Sequence, residues 1–358
     1  MKKILFVLHL PPPVHGASVM GEAIRACKTL NEAYETSYVN LSLAADLKDV
    51  GRFSFRKPAA FLRVRRQIRK AVRSFQPDLV YMTPAVCFPG FLKDALNVRM
   101  LKRMGCRLLL HLHNKEPRWM GNRLLRPVYK DFFAHTRVIL LSERLYPDIA
   151  PFIDRDSVSI CPNGVDVPPV RRHGEPIPRI LFFSNIIRSK GVSILLDACR
   201  VLVGRGQSFR CVLAGKITPD YPGDTLLEEI QKKGLEGVVE YVGEKYDEAK
   251  WEAFSRADVF VHPTYNDSFP LVLLEALGSG LPVVSTMEGG IPDIVKDGET
   301  GFLCPPGDAA AVADRMERLL TNPGLRLRMG EAARRDYEAR FTREHFEETF
   351  FSIISRVL

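Results

Sequence analysis

Short apolar runs alternate with amphipathic stretches along this chain, and the alternation stops once and then starts again. The runs at 3–10, 34–40, 79–82, 107–112 and 137–141 read as strands, with helices between them, notably at 18–30 and 58–75. Repeated β–α units of this kind specify a parallel sheet. A segment dense in proline and glycine, 162–178, reads as a linker. Beyond it the pattern resumes with strands at 179–184, 209–214, 238–242, 259–262 and 282–285. Helices follow at 191–205, 224–233, from Phe269, at 308–320, 325–340 and 345–357. The restart predicts an α/β chain of two doubly wound, Rossmann-like domains. Each presents a ligand edge at the carboxyl ends of its strands, and two such edges facing each other make one interdomain cleft.

With 358 residues there is chain enough for two buried cores. No apolar run approaches the roughly 20 residues needed to cross a bilayer. The run from Ile4 to Leu10 follows Lys2-Lys3 but ends at Pro11-Pro12-Pro13, so it reads as a first strand rather than a signal peptide. Seven cysteines without a C-x-x-C pair argue against a disulfide framework or a zinc site, and a reducing cytoplasm is the simplest location. The net charge of +9 is unevenly distributed. Residues 1–170 carry 27 Lys and Arg against 14 Asp and Glu, whereas 171–358 carry 24 against 28. The basic half therefore suits an anionic surface or acceptor.

The most informative segment runs from His262 to Asp293. A turn-rich stretch opens into an apolar helix carrying a single acid, Glu275, eight positions after Asp267. Asn266-Asp267-Ser268 can cap that helix, and Pro270 suits its first turn, where a missing N–H costs nothing. The remaining N–H groups and the helix dipole favour a diphosphate. Glu275 interrupts Leu271-Val-Leu-Leu274, where a charge is costly unless it is used. A glycine turn, Gly289-Gly290, comes where a backbone must approach a ligand closely. The alternative is a capped helix with an idle, exposed Glu275.

Three further strand ends carry candidate chemistry. Ser184-Asn-Ile-Ile-Arg-Ser-Lys-Gly191 follows the first strand of the second half, and its Lys190 would supply a point charge to a phosphate. The spacing is not that of a Walker loop, and a solvated lysine is the plain alternative. Pro11-Pro-Pro-Val-His-Gly-Ala-Ser-Val-Met-Gly21 follows the first strand, with Gly16 allowing close backbone approach. It lacks G-x-G-x-x-G, so no NAD site is read. In Leu108-Leu-Leu-His-Leu-His113, strand alternation puts His111 and His113 on one face. No nearby carboxylate or cysteine completes a metal set, and a structural histidine is the alternative. Finally, Phe61, Val64, Ile68, Val72 and Phe75 recur at helical spacing. Opposite that stripe lie Arg63, Arg66, Arg69, Lys70 and Arg73, preceded by Arg56 and Lys57. Two readings stand for this face: plain solvation, or attraction to anionic lipid headgroups. No nucleic-acid-reading motif accompanies it.

Taken together these motifs resemble the retaining GT-B glycosyltransferases of family 4, the glycosyl transferases group 1. The resemblance runs from the turn near Gly16 to the last helix and is most specific over 262–307. It implies an acceptor-side domain at 1–168, a nucleotide-sugar domain at 169–340, and a helix at 341–358 crossing back to the first. The family's E-x7-E pattern is here Asp267-x7-Glu275. Glu275 would bond the ribose hydroxyls, and Asp267, one methylene shorter than the family acid, would lie beside the transferred sugar. In the G-R-L-x-x-x-K-G motif the arginine position holds Asn185, and Arg188 is the nearest arginine. His15-Gly16-Ala17 stands where many relatives have Gly-Gly, and His113 matches a histidine that positions and polarises the reacting sugar. The resemblance thus implies catalytic roles for His113, Lys190 and Asp267. It implies donor contacts from Gly16, Ala17, Asn185, Arg188, Lys190, Asp267, Ser268, Phe269, Pro270, Leu271 and Glu275. The reaction implied is sugar transfer from a UDP- or GDP-sugar to a saccharide or lipid-linked acceptor, with retention, without a cofactor and, having no D-x-D near a strand end of the donor region, without a metal. It would serve polysaccharide or glycolipid synthesis in the cytoplasm, with the inner face of the membrane as a second location. A sugar-nucleotide epimerase of the same fold and a non-catalytic nucleotide-sugar-binding protein are the alternatives.

Overall fold

The computed structural model describes the chain apart from residues 13, 43–55, 89, 116–119 and 171–175, and only the backbone of 56–58. Pro13 of the proline turn, part of the 162–178 linker and the side chains of Arg56 and Lys57 thus lie outside the described residues. Two compact units emerge: Met1–Asn163 with Arg343–Leu358, and Gly164–Thr342.

The first unit is built on six parallel strands. They are β1 (Lys3–Leu8), β2 (Glu35–Asn40), β3 (Leu79–Met82), β4 (Leu108–Leu112), β5 (Arg137–Leu140) and β6 (Val158–Ile160). Their spatial order is β2-β1-β3-β4-β5-β6, with Leu5 of β1 opposite Ser37 on one side and Val80 on the other. Ile4 to Leu8 and Leu108 to Leu112 are buried throughout, as strands covered on both faces must be. The three-residue β6, Val-Ser-Ile, was not among the strands read from the sequence, because it is too short to register as an apolar run. The helix expected at 18–30 is two helices, Gly16–Ala26 and Lys28–Ala33. Cys27 between them is extended, and the Asn31 amide donates to the carbonyls of Arg25 and Cys27, satisfying groups the break leaves open. The helix Arg56–Phe75 buries Val64, Ile68 and Val72, the predicted stripe. The last helix, Arg343–Val357, is part of this unit. Its Phe350 meets Tyr81 edge-on at 5.2 Å and lies along the ring of His111 at 6.5 Å.

The second unit repeats the plan with β7 (Arg179–Phe183), β8 (Arg210–Ala214), β9 (Val239–Tyr241), β10 (Val259–His262), β11 (Val283–Thr286) and β12 (Gly301–Cys304). The order is β12-β11-β10-β7-β8-β9, all parallel. Ile180 and Phe182 of β7, Val261 of β10, Val284 of β11 and Leu195 and Leu196 of the Val192–Gly204 helix share its core. Here too a sixth strand, β12, had escaped the sequence reading: Gly-Phe-Leu-Cys opens on a glycine and is four residues long.

In each sheet the order turns back once, between β1 and β3 and between β7 and β10. At such a switch point neighbouring connections leave to opposite sides, opening a crevice at the carboxyl ends where ligands bind. The turns after β1, β7 and β10 are the ones the sequence motifs occupy. Among the described residues no helix is long and apolar enough to cross a membrane.

If the last helix is structural to the first unit, Phe350→Ala should cost about 3–5 kcal/mol, the usual loss for a fully buried phenylalanine. Denaturant unfolding measures it, and a loss below about 1 kcal/mol would contradict the packing described.

Candidate functional site

The crevice between β7 and β10 is made by two turns held in close register. After β7 the chain passes Asn185, half-buried, and makes a short 3-10 turn at Arg188–Lys190. Gly191 follows with φ +79°, and a Cβ there would sit 1.9 Å from the Pro263 carbonyl oxygen. Only glycine tolerates both the backbone angle and the contact. The Ser189 carbonyl then accepts from Tyr265 N at 2.8 Å and from Thr264 Oγ1 at 3.0 Å, fastening one turn to the other. The result is that Lys190 Nζ lies 2.6 Å from Asp267 Oδ1, with side chains only 22% and 12% exposed. Asp267 Oδ2 is 2.9 Å from His262 Nε2. Burial by itself would raise the Asp267 carboxyl, but the Lys190 ammonium and the His262 ring outweigh it and hold it well below the usual carboxylate range.

Glu275, eight positions on, is nearly buried and paired with Lys250 Nζ at 2.5 Å. Burial pushes its carboxyl up against the pull of Lys250. Lys250 also lies over the Trp251 and Phe183 rings, at 4.9 and 5.8 Å. Both acids of the Asp267-x7-Glu275 pattern thus hold a lysine at the edge of one sheet. Lys250 and His262 are participants the sequence reading did not name. Lys250 lies on the Asp247–Ser255 helix, far along the chain from either motif, and His262 was quoted only as the first residue of the block.

Several sequence-predicted residues are placed differently from the expectation. The helix after β10 runs from Leu271 to Gly278, with Pro270 as its N-cap and no side-chain cap bond. The Asp267 carboxylate, taken by Lys190 and His262, does not cap it, so the first-turn N–H groups have no side-chain cap. Ser268 and Phe269 are buried, and the Phe269 ring packs edge-on against Phe341. The Gly289 turn comes close to this chain's own backbone: a Cβ there would lie 2.2 Å from the Asp267 carbonyl oxygen, and Gly290 N donates to Ser268 O at 2.8 Å. Arg188 is exposed; its backbone N–H donates to Asp220 and its guanidinium stacks on Tyr221 at 5.1 Å. The Val192–Gly204 helix likewise starts without a side-chain cap, its first amides beside Lys190.

In the first unit the carboxyl ends of β1, β3 and β4 gather histidines. His15 caps the Gly16–Ala26 helix: its Nδ1 accepts from Ser18 N at 3.3 Å, while Ser18 Oγ accepts from His15 N at 2.9 Å. Gly16 is exposed, with nothing within 4 Å of a Cβ built there, and Ala17 is half-buried. Gly21 is the glycine the packing demands, since a Cβ there would meet the His9 carbonyl at 2.0 Å. The Tyr81 hydroxyl and His111 Nδ1 share a hydrogen bond of 2.7 Å, and the His111 ring lies 4.3 Å from that of His113. His113 keeps a buried Nε2 without a hydrogen-bond partner. Burial, with Lys93 and neighbouring histidines, lowers His9 to about 3, and burial with His15 lowers His113 to about 4.

Both rings are neutral when folded at pH 6 and take up protons near pH 6.5 when unfolded. The unfolded chain therefore binds more protons in this window, so stability is full above pH 6.5 and declines as pH falls towards 4. The melting temperature should drop between pH 7 and 4.5, and less steeply in the His9→Gln/His113→Gln double variant. Identical slopes for the two proteins would contradict the assignment.

Two family models together cover residues 30–336. Residues 169–336 match "Glycosyl transferases group 1" and residues 30–168 match "Glycosyltransferase Family 4". A phosphatidyl-myo-inositol mannosyltransferase of Mycobacterium leprae is 31% identical over 224 residues, covering 59% of this chain and 57% of that one. The amylovoran biosynthesis glycosyltransferase AmsK of Erwinia amylovora is 30% identical over 188 residues, covering 50% and 45%. The chain thus spans about half the length of the curated relatives it matches. Among solved structures, Anabaena Alr3699/HepE, crystallised with UDP and glucose, superposes with a TM-score of 0.75 at 19% identity, over 99% of this chain and 100% of that one. With two Rossmann-like parallel sheets, and with Lys190, Asp267 and Glu275 at the switch point of the second, the chain belongs to the glycosyl transferases group 1, of family 4 and GT-B fold.

Proposed function

We propose that this protein is a retaining, metal-independent glycosyltransferase that moves a sugar from a nucleotide-diphosphate sugar to an acceptor hydroxyl. The observation that carries the reading is the Lys190–Asp267 pair, with Glu275 about one turn into the Leu271–Gly278 helix that follows, at the β7/β10 switch point. A diphosphate entering there meets the Lys190 ammonium and the uncapped amides of the Val192–Gly204 and Leu271–Gly278 helices. Lys190 is a point charge on a flexible stem and can exchange Asp267 for phosphate. Glu275 then takes the ribose hydroxyls, Lys250 turning aside, and Asp267 takes a hydroxyl of the sugar. His113, neutral and with a buried Nε2 that has no hydrogen-bond partner, belongs to the acceptor-side unit and would position and polarise the reacting sugar.

In the reaction the bond from the anomeric carbon to the diphosphate breaks, and the electron pair leaves with the diphosphate. Lys190 and the helix amides stabilise that charge. The acceptor oxygen bonds the anomeric carbon on the face the diphosphate vacates, and its proton passes to the departing phosphate oxygen. Configuration is retained, and no protein nucleophile is required.

UDP is the first nucleotide to test, given the UDP bound in the structurally similar HepE, with GDP next. The names of the mannosyltransferase and the amylovoran enzyme support a lipid-linked or polysaccharide acceptor. The basic helix fits such an acceptor. Arg63, Arg66, Arg69, Lys70 and Arg73 are exposed, and Arg66, Arg69, Lys70, Arg73 and Ser74 line an open recess of ≈ 410 Å³.

Two measurements check these assignments. UDP or GDP should raise the melting temperature of the wild type, and Lys190→Ala or Glu275→Ala should lower sugar transfer at least about a hundredfold while the fold persists. Unchanged turnover in both variants would refute the donor site, and product formed without an acceptor would favour an epimerase. The protein should also sediment with vesicles containing anionic lipid and not with neutral ones. Arg66→Glu/Arg69→Glu/Arg73→Glu should abolish that, since each basic residue contributes about 1 kcal/mol near the surface. Equal binding to both vesicle types would dismiss the membrane role.

A further inference from the structure

His262 closes β10 and is in contact with the acid assigned to the sugar, yet the reaction as written gives it no part. Its side chain is 1% exposed and lies along two aromatic rings, Phe182 at 5.9 Å and 28° and Phe260 at 6.4 Å and 27°. Its backbone is equally confined. Its Cα pairs with Ser285 of β11, and its carbonyl accepts from Ser285 Oγ at 2.7 Å and from Thr264 N at 2.9 Å. The direction of the imidazole is therefore set by the sheet and the core.

Its two nitrogens are in unlike surroundings. Nε2 faces Asp267 Oδ2 at 2.9 Å, whereas Nδ1 is buried with no hydrogen-bond partner. A nitrogen facing a carboxylate carries the proton, which leaves Nδ1 as a bare lone pair. Burial opposes a second proton more than Asp267 favours one, so the ring stays neutral. A buried acceptor without a partner costs stability, and an apolar side chain would suit this aromatic pocket without that cost. What the imidazole adds is one rigid N–H aimed at one carboxylate oxygen.

Asp267 has two anchors of different character. Lys190 holds Oδ1 through a flexible stem, and a diphosphate competes for that ammonium. Once Lys190 turns, a carboxylate with a single remaining anchor stands beside new negative charge and is repelled by it. We propose that His262 is that anchor, a positioning residue whose neutral Nε2–H holds Oδ2 of Asp267 so that the other oxygen stays directed at the sugar during transfer. The proposal rests on the donor-site reading above and adds a residue to it.

Two experiments on the full chain test it. In ¹⁵N-histidine-labelled protein, with the His262 signals assigned through His262→Gln, the ring should be the neutral Nε2–H tautomer between about pH 7 and 8. A charged ring or the Nδ1–H tautomer in that range would overturn the proposal, whatever the enzyme's activity. In kinetics, His262→Leu should lower kcat about a hundredfold while the Kd for UDP stays within about threefold. His262→Gln, which keeps an N–H near the place of Nε2, should recover most of that loss. In an Asp267→Asn background His262→Leu should add less than about threefold, because the two residues act as one. An active wild type in which Leu and Gln lose equally, or in which Leu weakens UDP binding as much as turnover, overturns the proposal alone. A wild type inert toward nucleotide sugars overturns the donor-site reading and the role of His262 with it.

Discussion

The contact between Gly191 and the carbonyl of Pro263 is the constraint on which the site in the second unit depends. It brings the turn after β7 against the turn after β10 at a distance no side chain permits. The meeting of Lys190 and Asp267 follows from this approach. Lys190, one residue before the glycine, and Asp267, four residues after the proline, meet at 2.6 Å because their backbones are already clamped together by Ser189. Neither ion could be buried to this extent alone, since desolvating an unpaired charge is costly. The pair is the form in which both can be stored in a ligand-free site.

The same logic appears at Glu275. A carboxylate set in the apolar Leu271–Gly278 helix is tolerated because Lys250 arrives from another helix to meet it. Both acids therefore rest against lysines, and on the proposed function an incoming nucleotide sugar would exchange partners rather than create charge in a dry place. Such an exchange is less costly than uncovering a bare carboxylate. In the first unit the device is different: imidazoles are kept neutral by burial, with Tyr81 tying His111 to the final helix through Phe350.

Much of this was legible in the sequence, and the reasons are specific. The β–α alternation was readable because parallel strands such as Ile4–Leu8 and Val259–Val261 are buried on both faces and so are apolar at nearly every position. Glu275 could be singled out because it is a charge in an apolar helix, and Lys190 and Asp267 because they stand in the turns that follow β7 and β10. The polar or glycine-led strands β6 and β12 gave no such signal, and neither did the break at Cys27, which depends on the Asn31 side chain. Lys250 and the tie between His262 and Asp267 were invisible for a deeper reason. They are products of tertiary placement, one joining two helices 25 residues apart and the other depending on how a turn folds back on its own strand. The glycine turn at 289–290 shows the converse, since a motif that suggests ligand approach in sequence serves the chain's own backbone at Asp267.

The central claim is that Lys190 surrenders Asp267 to a diphosphate while the rest of the clamp stays in place. Crystallography of the full chain with UDP tests this most directly. The account predicts a pyrophosphate oxygen within about 3 Å of Lys190 Nζ, a broken Lys190–Asp267 pair and an unbroken His262–Asp267 bond. A nucleotide bound elsewhere, with the Lys190–Asp267 pair intact, would contradict it.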